Sequence, residues 1–417
     1  MLNSIILTFT KVVTSIYLAY SQTSSLRNGY KLSLAIIFIV LLNISCADKI
    51  NNPTEAKIST IGIGEDEITV VVVSGTSYEM GYQLGKALKD EIKSCMTGFI
   101  EYAQKGEKTS RYSADTPGRY DDATLDNAWL SVSPYLTERF IEEMNGLAEG
   151  SELPIELLKR AHMIPVVGDY ACSGVSVWGK ASNDGHLYQI RNLDFTMVAG
   201  LQDYPVIVVY LPDEGIAHAS ATFAGYIAAH TGINAKGIVL SEKGASPGSE
   251  YPFDLDGTHF STLFRDLLYE ANNLDEALNM IETTKLIKRY RLYVGDGKNE
   301  SMGAAKILVS SPDSVKLTIW KDNDANDEVA PNIKENICYY TMENDITYNY
   351  LSDNYGSFDA SKMIELSKLV ATKSGNLENV VYDATNLEMW VSYAHGDEVA
   401  SSRSYVHLDL KQYFNND

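Results

Sequence analysis

From residue 172 onward the periodicity of the sequence changes from helical to strand-like, and this change restricts the possible folds more than any other feature. Short alternating or apolar runs follow one another to about residue 245, separated by turn signals such as Ser-Asn-Asp-Gly and Pro-Asp-Glu-Gly. We predict a layered α+β architecture, because the strands come in two blocks with helices between them. The predicted strands are 173–180, 186–195, 205–211, 216–223, 226–231, 237–241, 289–295, 304–309, 315–321, 336–341, 378–383 and 388–394, and the predicted helices among them are 260–271, 274–283 and 360–371.

The residues before this point are mostly helical in pattern. A β-branched run predicts one strand at 68–73, and apolar residues recur at helical spacing from Ser77 onward. Asp275, farther along the chain, is predicted to cap the second helix of the strand-rich part. The chain thus divides into a mostly helical segment, 47–171, and a strand-rich region, 172–417. The other helices predicted in the first segment are 124–131, 134–149 and 155–163, and residues 106–122 are predicted to be a loop.

The N-terminus has the pattern of an export signal. Residues 31–46, "KLSLAIIFIVLLNISC", carry a lysine, a short apolar run, small residues and a cysteine. The run is shorter than the ~20 apolar residues that a membrane-spanning helix needs. Residues 1–46 are therefore predicted to be a signal segment, and Cys46 resembles the lipid-carrying cysteine of a bacterial lipoprotein. Plain secretion and an uncleaved anchor are the alternatives, and residues 47–60 are predicted to be a polar tether.

The charge and the cysteines exclude several classes of function. The chain has 34 basic and 55 acidic side chains, a formal charge of −21, which disfavours nucleic acids and anionic membrane surfaces as partners. A lipid anchor would be its only membrane contact. The cysteines form no Cys-x-x-Cys pair and no Cys/His cluster with zinc spacing, so no metal or cofactor is predicted. Cys95 lies among the apolar residues of a predicted helix and is interpreted as a buried filler.

The most informative stretch is "ACSGVSVWGKASNDGHLYQIRNLDF", residues 171–195. The Asn-Asp-Gly sequence in its middle predicts a hairpin, and the pairing brings Cys172 near Arg191 and Asp194. A neighbouring cation lowers the pKa of a thiol from about 8.5 and makes it a better nucleophile. The carboxylate can hold that cation or position an amine that takes the proton. A buried cysteine beside a structural Arg–Asp pair is the alternative that the residues leave open.

The same stretch resembles the start of the catalytic domain of cysteine N-terminal nucleophile (Ntn) hydrolases, closest to the isopenicillin N acyltransferase family. Choloylglycine hydrolases, penicillin V acylase, acid ceramidase and N-acylethanolamine acid amidase are related. Four other stretches carry the resemblance in the same order, namely "VSGTSYEMGYQLGKAL" (73–88), "EEMNGLAEGSELPIELL" (142–158), "TFAGYIAAHTGINAKGIVLS" (222–241) and "DATNLEMWVSYAHGDEVASSRSYVHLDL" (383–410). The resemblance implies a four-layer αββα sandwich, the Ntn-hydrolase fold, with residues 47–171 as a helical pro-segment and 172–417 as the catalytic domain.

The resemblance also implies a role for several residues. The thiol of Cys172 would attack the carbonyl of the preceding residue, so that Cys172 becomes the first residue of a mature chain. Its freed α-amine, with a pKa of about 7.7–8.0, would then act as the base toward its own thiol. Arg191 matches the arginine beside the thiol, and Asp194 matches the aspartate that orients the amine. The oxyanion hole would use a backbone N–H near Gly244 and the side chain of Asn344, for which a plain turn residue is the alternative.

These features predict an exported, autoproteolytically activated hydrolase. It would cleave linear amide bonds of small N-acyl substrates through a thioester and would need no cofactor. An acyltransferase that passes the acyl group to an amine is one alternative. A catalytically silent surface lipoprotein that binds acyl amides is another.

Overall fold

The fold is built on two β-sheets, seen in a computed structural model that describes residues 55–105, 120–168, 171–244, 254–300, 302–310, 316–322, 324–327 and 329–414. The large sheet has nine strands in the order β1-β2-β5-β6-β7-β8-β9-β10-β11. The small sheet has six strands in the order β12-β3-β4-β13-β14-β15. Neighbouring strands are antiparallel except β2 and β5, which are parallel. The strands are β1 Lys57–Ile61, β2 Ile68–Gly75, β3 Ala171–Gly179, β4 Gly185–Asp194, β5 Pro205–Pro212, β6 His218–Phe223, β7 Thr231–Asn234, β8 Ile238–Gly244, β9 Tyr290–Asp296, β10 Gly303–Ser310, β11 Lys316–Lys321, β12 Ile337–Tyr340, β13 Asn376–Asp383, β14 Glu388–Tyr393 and β15 Val406–Asp409.

The two sheets face each other, and helices cover their outer faces. Strands β3 and β4 of the small sheet pack against β8 and β9 of the large sheet. The described helices are α1 Ser77–Ala87, α2 Lys89–Lys105, α3 Asp122–Val132, α4 Glu138–Ser151, α5 Ile155–Val167, α6 Phe260–Glu270, α7 Leu274–Thr283, α8 Asn344–Asp353, α9 Ala360–Val370 and α10 Lys411–Phe414. Helices α6 and α7 pack on the large sheet, and α9 packs on the small sheet. The order helix, sheet, sheet, helix confirms the predicted αββα sandwich and its α+β class.

The segment before residue 171 is part of this sandwich through β2. That strand pairs with β1 on one side and with β5 on the other, in parallel register from Thr69 opposite Val206 to Gly75 opposite Pro212. Its run of apolar residues, 70–73, is buried except for the partly buried Val72, as expected for a strand inside a sheet covered on both faces. The strand-rich region therefore shares its large sheet with residues that precede Ala171 in the chain.

Helices α1 and α4 of that segment approach each other unusually closely. Gly81 and Gly85 of α1 face Gly146 and Gly150 of α4, and an added Cβ on Gly146 would lie 2.0 Å from the carbonyl oxygen of Tyr78. Only glycine fits at such a distance between two helix backbones. The Gly-x-x-x-Gly spacing in both helices thus sets how they pack.

A buried ion pair joins α4 to the strand-rich region. The Arg265 guanidinium of α6 donates to Glu143 of α4 at 2.6 Å and lies 2.8 Å from the imidazole of His218 on β6. The same guanidinium stacks over the ring of Tyr210, 3.9 Å from its centroid. Arg265 and Glu143 are both almost completely buried, so removing one partner would leave an uncompensated charge in the interior.

The structure corrects several of the predicted elements. Residues 57–61 form β1 instead of the end of a tether, because they pair with β2. The strand predicted at 226–231 is irregular backbone up to residue 230, and β7 begins only at Thr231. The helix predicted at 134–149 begins at Glu138, since Pro134 belongs to a short 3₁₀ turn before it. Asn273, and not Asp275, caps α7 by accepting the backbone N–H of Glu276.

Some predictions concern residues outside those that the structure describes. The signal segment 1–46, including Cys46, lies there, as does most of the loop predicted at 106–122. Among the described residues, no helix has the length and apolar character needed to cross a membrane.

Candidate active site

The predicted hairpin is formed by β3 and β4, and it brings the predicted residues together. The register places Ala171 opposite Asp194, Cys172 opposite Leu193 and Gly174 opposite Arg191. The turn uses Gly185 at a positive φ of 83°, which the Asn-Asp-Gly sequence favours. Cys172 is thus the second residue of β3, at one end of that strand. Strand β3 packs against β8 and β9 of the large sheet.

The thiol of Cys172 is fully buried between a cation and a carboxylate. The Arg191 guanidinium lies 3.5 Å from the sulfur. The thiol donates a hydrogen bond to a carboxylate oxygen of Glu242, 3.8 Å from the sulfur. The backbone N–H of Gly244, two residues farther along β8, also hydrogen-bonds to the sulfur. Two strands, β4 of the small sheet and β8 of the large sheet, therefore supply these contacts to a sulfur carried by β3.

The state of the thiol follows from these neighbours. Burial raises the pKa of Cys172 above its ordinary value; Arg191 and the Gly244 N–H oppose this, and the carboxylates of Glu242 and Asp194 add to it. Arg191 thus favours the thiolate, but the effect of burial on the pKa of the thiol is larger. In the uncut chain the thiol is protonated, and Glu242 accepts its hydrogen bond.

Arg191 is held between two buried carboxylates. Its guanidinium lies 3.7 Å from Glu242 on β8 and 3.8 Å from Glu378 on β13, and all three side chains are fully buried. Glu378 in turn accepts a hydrogen bond from the Nε2–H of His230 at 3.0 Å. Burial lowers the pKa of His230, so its imidazole is neutral and serves as a donor here. This arrangement fixes the guanidinium next to the sulfur.

Asp194 is fixed at the end of β4, opposite Ala171. Its Oδ1 accepts the Oγ1–H of Thr372 at 2.9 Å, the backbone N–H of Thr372 at 3.2 Å and the side-chain amide of Asn376 at 3.1 Å. Since Ala171 is its register partner, the carboxylate lies at the level of the bond that joins Ala171 to Cys172. Asn192, which lies between Arg191 and Asp194 in the sequence, is hydrogen-bonded to Ser367 of α9 and joins that helix to the sheet.

The two residues predicted for the oxyanion hole differ in their placement. Gly244 is the last residue of β8 and contacts the thiol through its N–H. Asn344 is the first residue of α8; its Oδ1 accepts the N–H of Thr341 at 2.9 Å, and its amide points to the carbonyl of Val329. The nearest hydrogen bond from this segment to the thiol strand is the Met342 N–H donated to Ser173 Oγ at 3.2 Å. The structure thus brings Gly244, but not the Asn344 side chain, to Cys172.

Three functional candidates were missed from the sequence. Glu242, Glu378 and His230 lie around Arg191, yet none of them belongs to a recognisable catalytic motif in the sequence. The sequence held one signal for two of them: Glu242 directly follows the predicted strand 237–241, and Glu378 begins the predicted strand 378–383. A carboxylate is rarely buried in a sheet without a cation to pair with. Among the described residues, no group of three or more His, Cys, Asp or Glu side chains could hold a metal ion.

The chain is thus an α+β sandwich with a buried thiol near the start of an inner strand, next to a guanidinium and a carboxylate. No protein-family model matches the chain. It is 27% identical to protein dcd1B of Dictyostelium discoideum over 372 residues, which span 83% of this chain and 72% of that protein. It is 25% identical to protein dcd1A of the same organism over 412 residues, or 88% of this chain and 90% of that protein.

Among solved structures, the chain is similar to the Caenorhabditis elegans ortholog of N-acylethanolamine-hydrolyzing acid amidase. The identity is 18%, the TM-score is 0.40, and the match covers 51% of this chain and 93% of that one. A likeness of this degree leaves the assignment of function to the geometry of the site.

Proposed function

We propose that the protein is a cysteine Ntn hydrolase that cleaves its own chain at Ala171–Cys172 and then hydrolyses linear amides of small N-acyl compounds. The observation that carries this proposal is the environment of the Cys172 sulfur. It lies 3.5 Å from a buried guanidinium, contacts the N–H of Gly244 and donates to Glu242, in a strand that starts one residue earlier. A cysteine that only filled space would need none of these polar neighbours.

The first step would be an acyl shift from nitrogen to sulfur. Glu242 takes the proton of the thiol, and the sulfur attacks the carbonyl carbon of Ala171. The C–N bond between Ala171 and Cys172 breaks, and the nitrogen leaves as an amine after it receives a proton. Water then hydrolyses the thioester, which releases the Ala171 carboxylate and restores the thiol.

The second activity would use the groups that the first step creates. The new α-amine of Cys172 lies at the level of Asp194, whose carboxylate would orient it as a base toward the sulfur. A substrate amide then gives a thioester on Cys172 and a free amine, and water releases the acid. The Gly244 N–H would stabilise the oxyanion that develops on the substrate carbonyl, since it already points at the sulfur.

The mass of the purified protein tests the proposal directly. Mature wild-type protein should give two fragments with a break between Ala171 and Cys172, and Cys172→Ala should remain one chain without amidase activity. Cys338→Ala is the matched control, because Cys338 is another buried free cysteine of the small sheet. A wild-type chain that stays intact and resists alkylation at Cys172 would refute the proposed function.

A further inference from the structure

Two cations lie directly opposite each other beside the candidate active site. Lys243 of β8 pairs with Arg291 of β9 in the antiparallel register. Both side chains lie over the ring of Tyr340 at the end of β12, with Lys243 Nζ 4.4 Å and Arg291 Cζ 4.3 Å from the ring centroid. Two strands of the large sheet and one of the small sheet thus form this cluster. We call Lys243 and Arg291 the cation pair.

The cation pair is electrostatically unfavourable in the form that the structure shows. Like charges directly opposite each other on antiparallel strands are destabilising, and Lys243 is only 5% exposed. Among the described residues, neither cation has a carboxylate within ion-pair distance, and the buried Nε–H of Arg291 has no hydrogen-bond partner. Two other interior cations are paired with carboxylates, Lys306 with Asp327 and Arg265 with Glu143.

The position of the cation pair relates it to the proposed chemistry. Lys243 immediately precedes Gly244, whose N–H contacts the sulfur of Cys172. Tyr340 lies opposite Gly174, two residues from Cys172 along β3. Arg291 and Tyr340 are only partly buried, so the cluster is exposed to solvent on that side.

We propose that the cation pair is a subsite for a carboxylate carried by the amide substrate, an inference that rests on the proposed function. The planar guanidinium of Arg291 can form two parallel hydrogen bonds with a carboxylate, and the ammonium of Lys243 adds a third donor. One negative charge would relieve the repulsion between the cations. A dianion is disfavoured, because Glu242 and Asp194 already act on Lys243 from the same site.

The same geometry makes recognition dependent on pH. Lys243 faces Arg291 on β9, Tyr340 on β12, Cys172 on β3 and the carboxylates of Glu242 and Asp194. Burial and the charge of Arg291 lower the pKa of Lys243 to about 8. A carboxylate in the subsite favours the protonated amine, so the KM for a carboxylated substrate should rise as the pH passes above this value.

The carboxylate could lie on either side of the scissile amide, and three substrates separate these cases. N-Decanoylglycine carries it on the amine side, the monoethanolamide of decanedioic acid carries it on the acyl chain, and N-decanoylethanolamine has none. Cleaved wild-type protein should prefer one carboxylated substrate over the neutral one by about tenfold or more in kcat/KM. Lys243→Met and Arg291→Met should reduce that ratio by about tenfold through KM.

Lys334→Met is the matched control, since Lys334 is an exposed cation that lies 4.5 Å over the ring of Tyr355; it should keep the ratio. Equal rates on all three substrates, or a preference that survives in both variants, would overturn the inference. A parallel fall of kcat on every substrate would also overturn it, since Lys243 would then move protons. Failure of the wild-type protein to cleave any of the three would instead count against the proposed function.

Discussion

The guanidinium of Arg191 lies 3.7 Å from a carboxylate oxygen of Glu242, both side chains are fully buried, and the Cys172 sulfur contacts both. The cation favours a thiolate, while the carboxylate offers a place for the thiol proton. This pairing explains how a thiol with a raised pKa could still act as a nucleophile, because it need not ionise before it reacts.

Glu242→Gln should therefore slow the cut at Ala171–Cys172 by about a hundredfold. The amide cannot take the thiol proton, and this loss should outweigh the gain from removing a negative charge near the sulfur. The rate of the cut is measured by cell-free synthesis of the protein, with the formation of the two fragments followed over time by mass spectrometry. Glu378→Gln is the comparison, since Glu378 lies equally near Arg191 but on the His230 side. Equal slowing in both variants would point to a loss of Arg191 positioning instead of a role as base.

Asp194→Asn should lower amide turnover by about 10²- to 10³-fold in protein that has already been cut. The asparagine oxygen can keep the bonds from Thr372 and Asn376, but it carries no charge to hold the new α-amine. The measurement is single-turnover acylation of Cys172 as a function of pH. Thr372→Val removes the hydroxyl contacts with Asp194 at 2.9 Å and with the Ser374 carbonyl at 3.0 Å but leaves the carboxylate charge, so it should cost much less. Unchanged acylation in the asparagine variant would exclude Asp194 as the group that orients the amine.

Gly146→Ala should destabilise the protein by about 3 kcal/mol, because its Cβ would lie 2.0 Å from the Tyr78 carbonyl oxygen and would force α1 and α4 apart. Gly98→Ala, in α2, is the matched control, since a Cβ there meets nothing within 4 Å. It should stabilise the helix by about 0.5–1 kcal/mol. Urea unfolding gives both free energies. The same change in stability at the two sites would contradict the close packing of α1 and α4.

Acid should weaken the contact between the N-terminal segment and the strand-rich region through His162. Its Nε2 accepts the N–H of Ile227 at 3.0 Å, its Nδ1–H is donated to Leu158, and burial lowers its pKa to about 4. The depressed pKa means that protons bind the unfolded state more tightly. The contribution of neutral His162 to the free energy of unfolding is fully present above about pH 6.5. It falls by up to about 1.4 kcal/mol per pH unit as the pH drops toward 4.

The test is the slope of unfolding free energy against pH. His162→Gln should reduce this slope by about 1.4 kcal/mol per pH unit, which corresponds to one proton. Other buried histidines such as His259 should still contribute to the remaining slope. A slope that is the same in wild type and His162→Gln would show that this imidazole does not link acid to unfolding.

The hairpin was predictable because its information is local. Alternating residues and an Asn-Asp-Gly turn define β3 and β4 within one or two residues, and the pairing alone places Cys172, Arg191 and Asp194 at one sheet end. The position of Gly244 followed from the resemblance and agrees with its contact to the sulfur. The layered α+β class followed from the order of strands and helices.

The rest depended on contacts between distant residues. The run before Thr231 is apolar without a period that separates strand from turn, and Gly225 adopts a positive φ of 87° there. Helix α8 is rich in tyrosine, threonine and asparagine, which favour helices weakly, so its existence follows from packing and not from propensity. Glu242 and Glu378 reach Arg191 from strands of opposite sheets, a relation that no spacing in the sequence contains.

Strand β2 lies between β1 and β5, so residues on the two sides of Ala171–Cys172 belong to one hydrogen-bonded sheet. Hydrolysis of that bond would convert a monomer into a heterodimer whose two polypeptides come from one round of translation. They would always be equal in number and would never have to meet by diffusion, because they fold together before they are separate molecules. A lipid on Cys46 would then retain the catalytic polypeptide at a membrane to which that polypeptide has no covalent link.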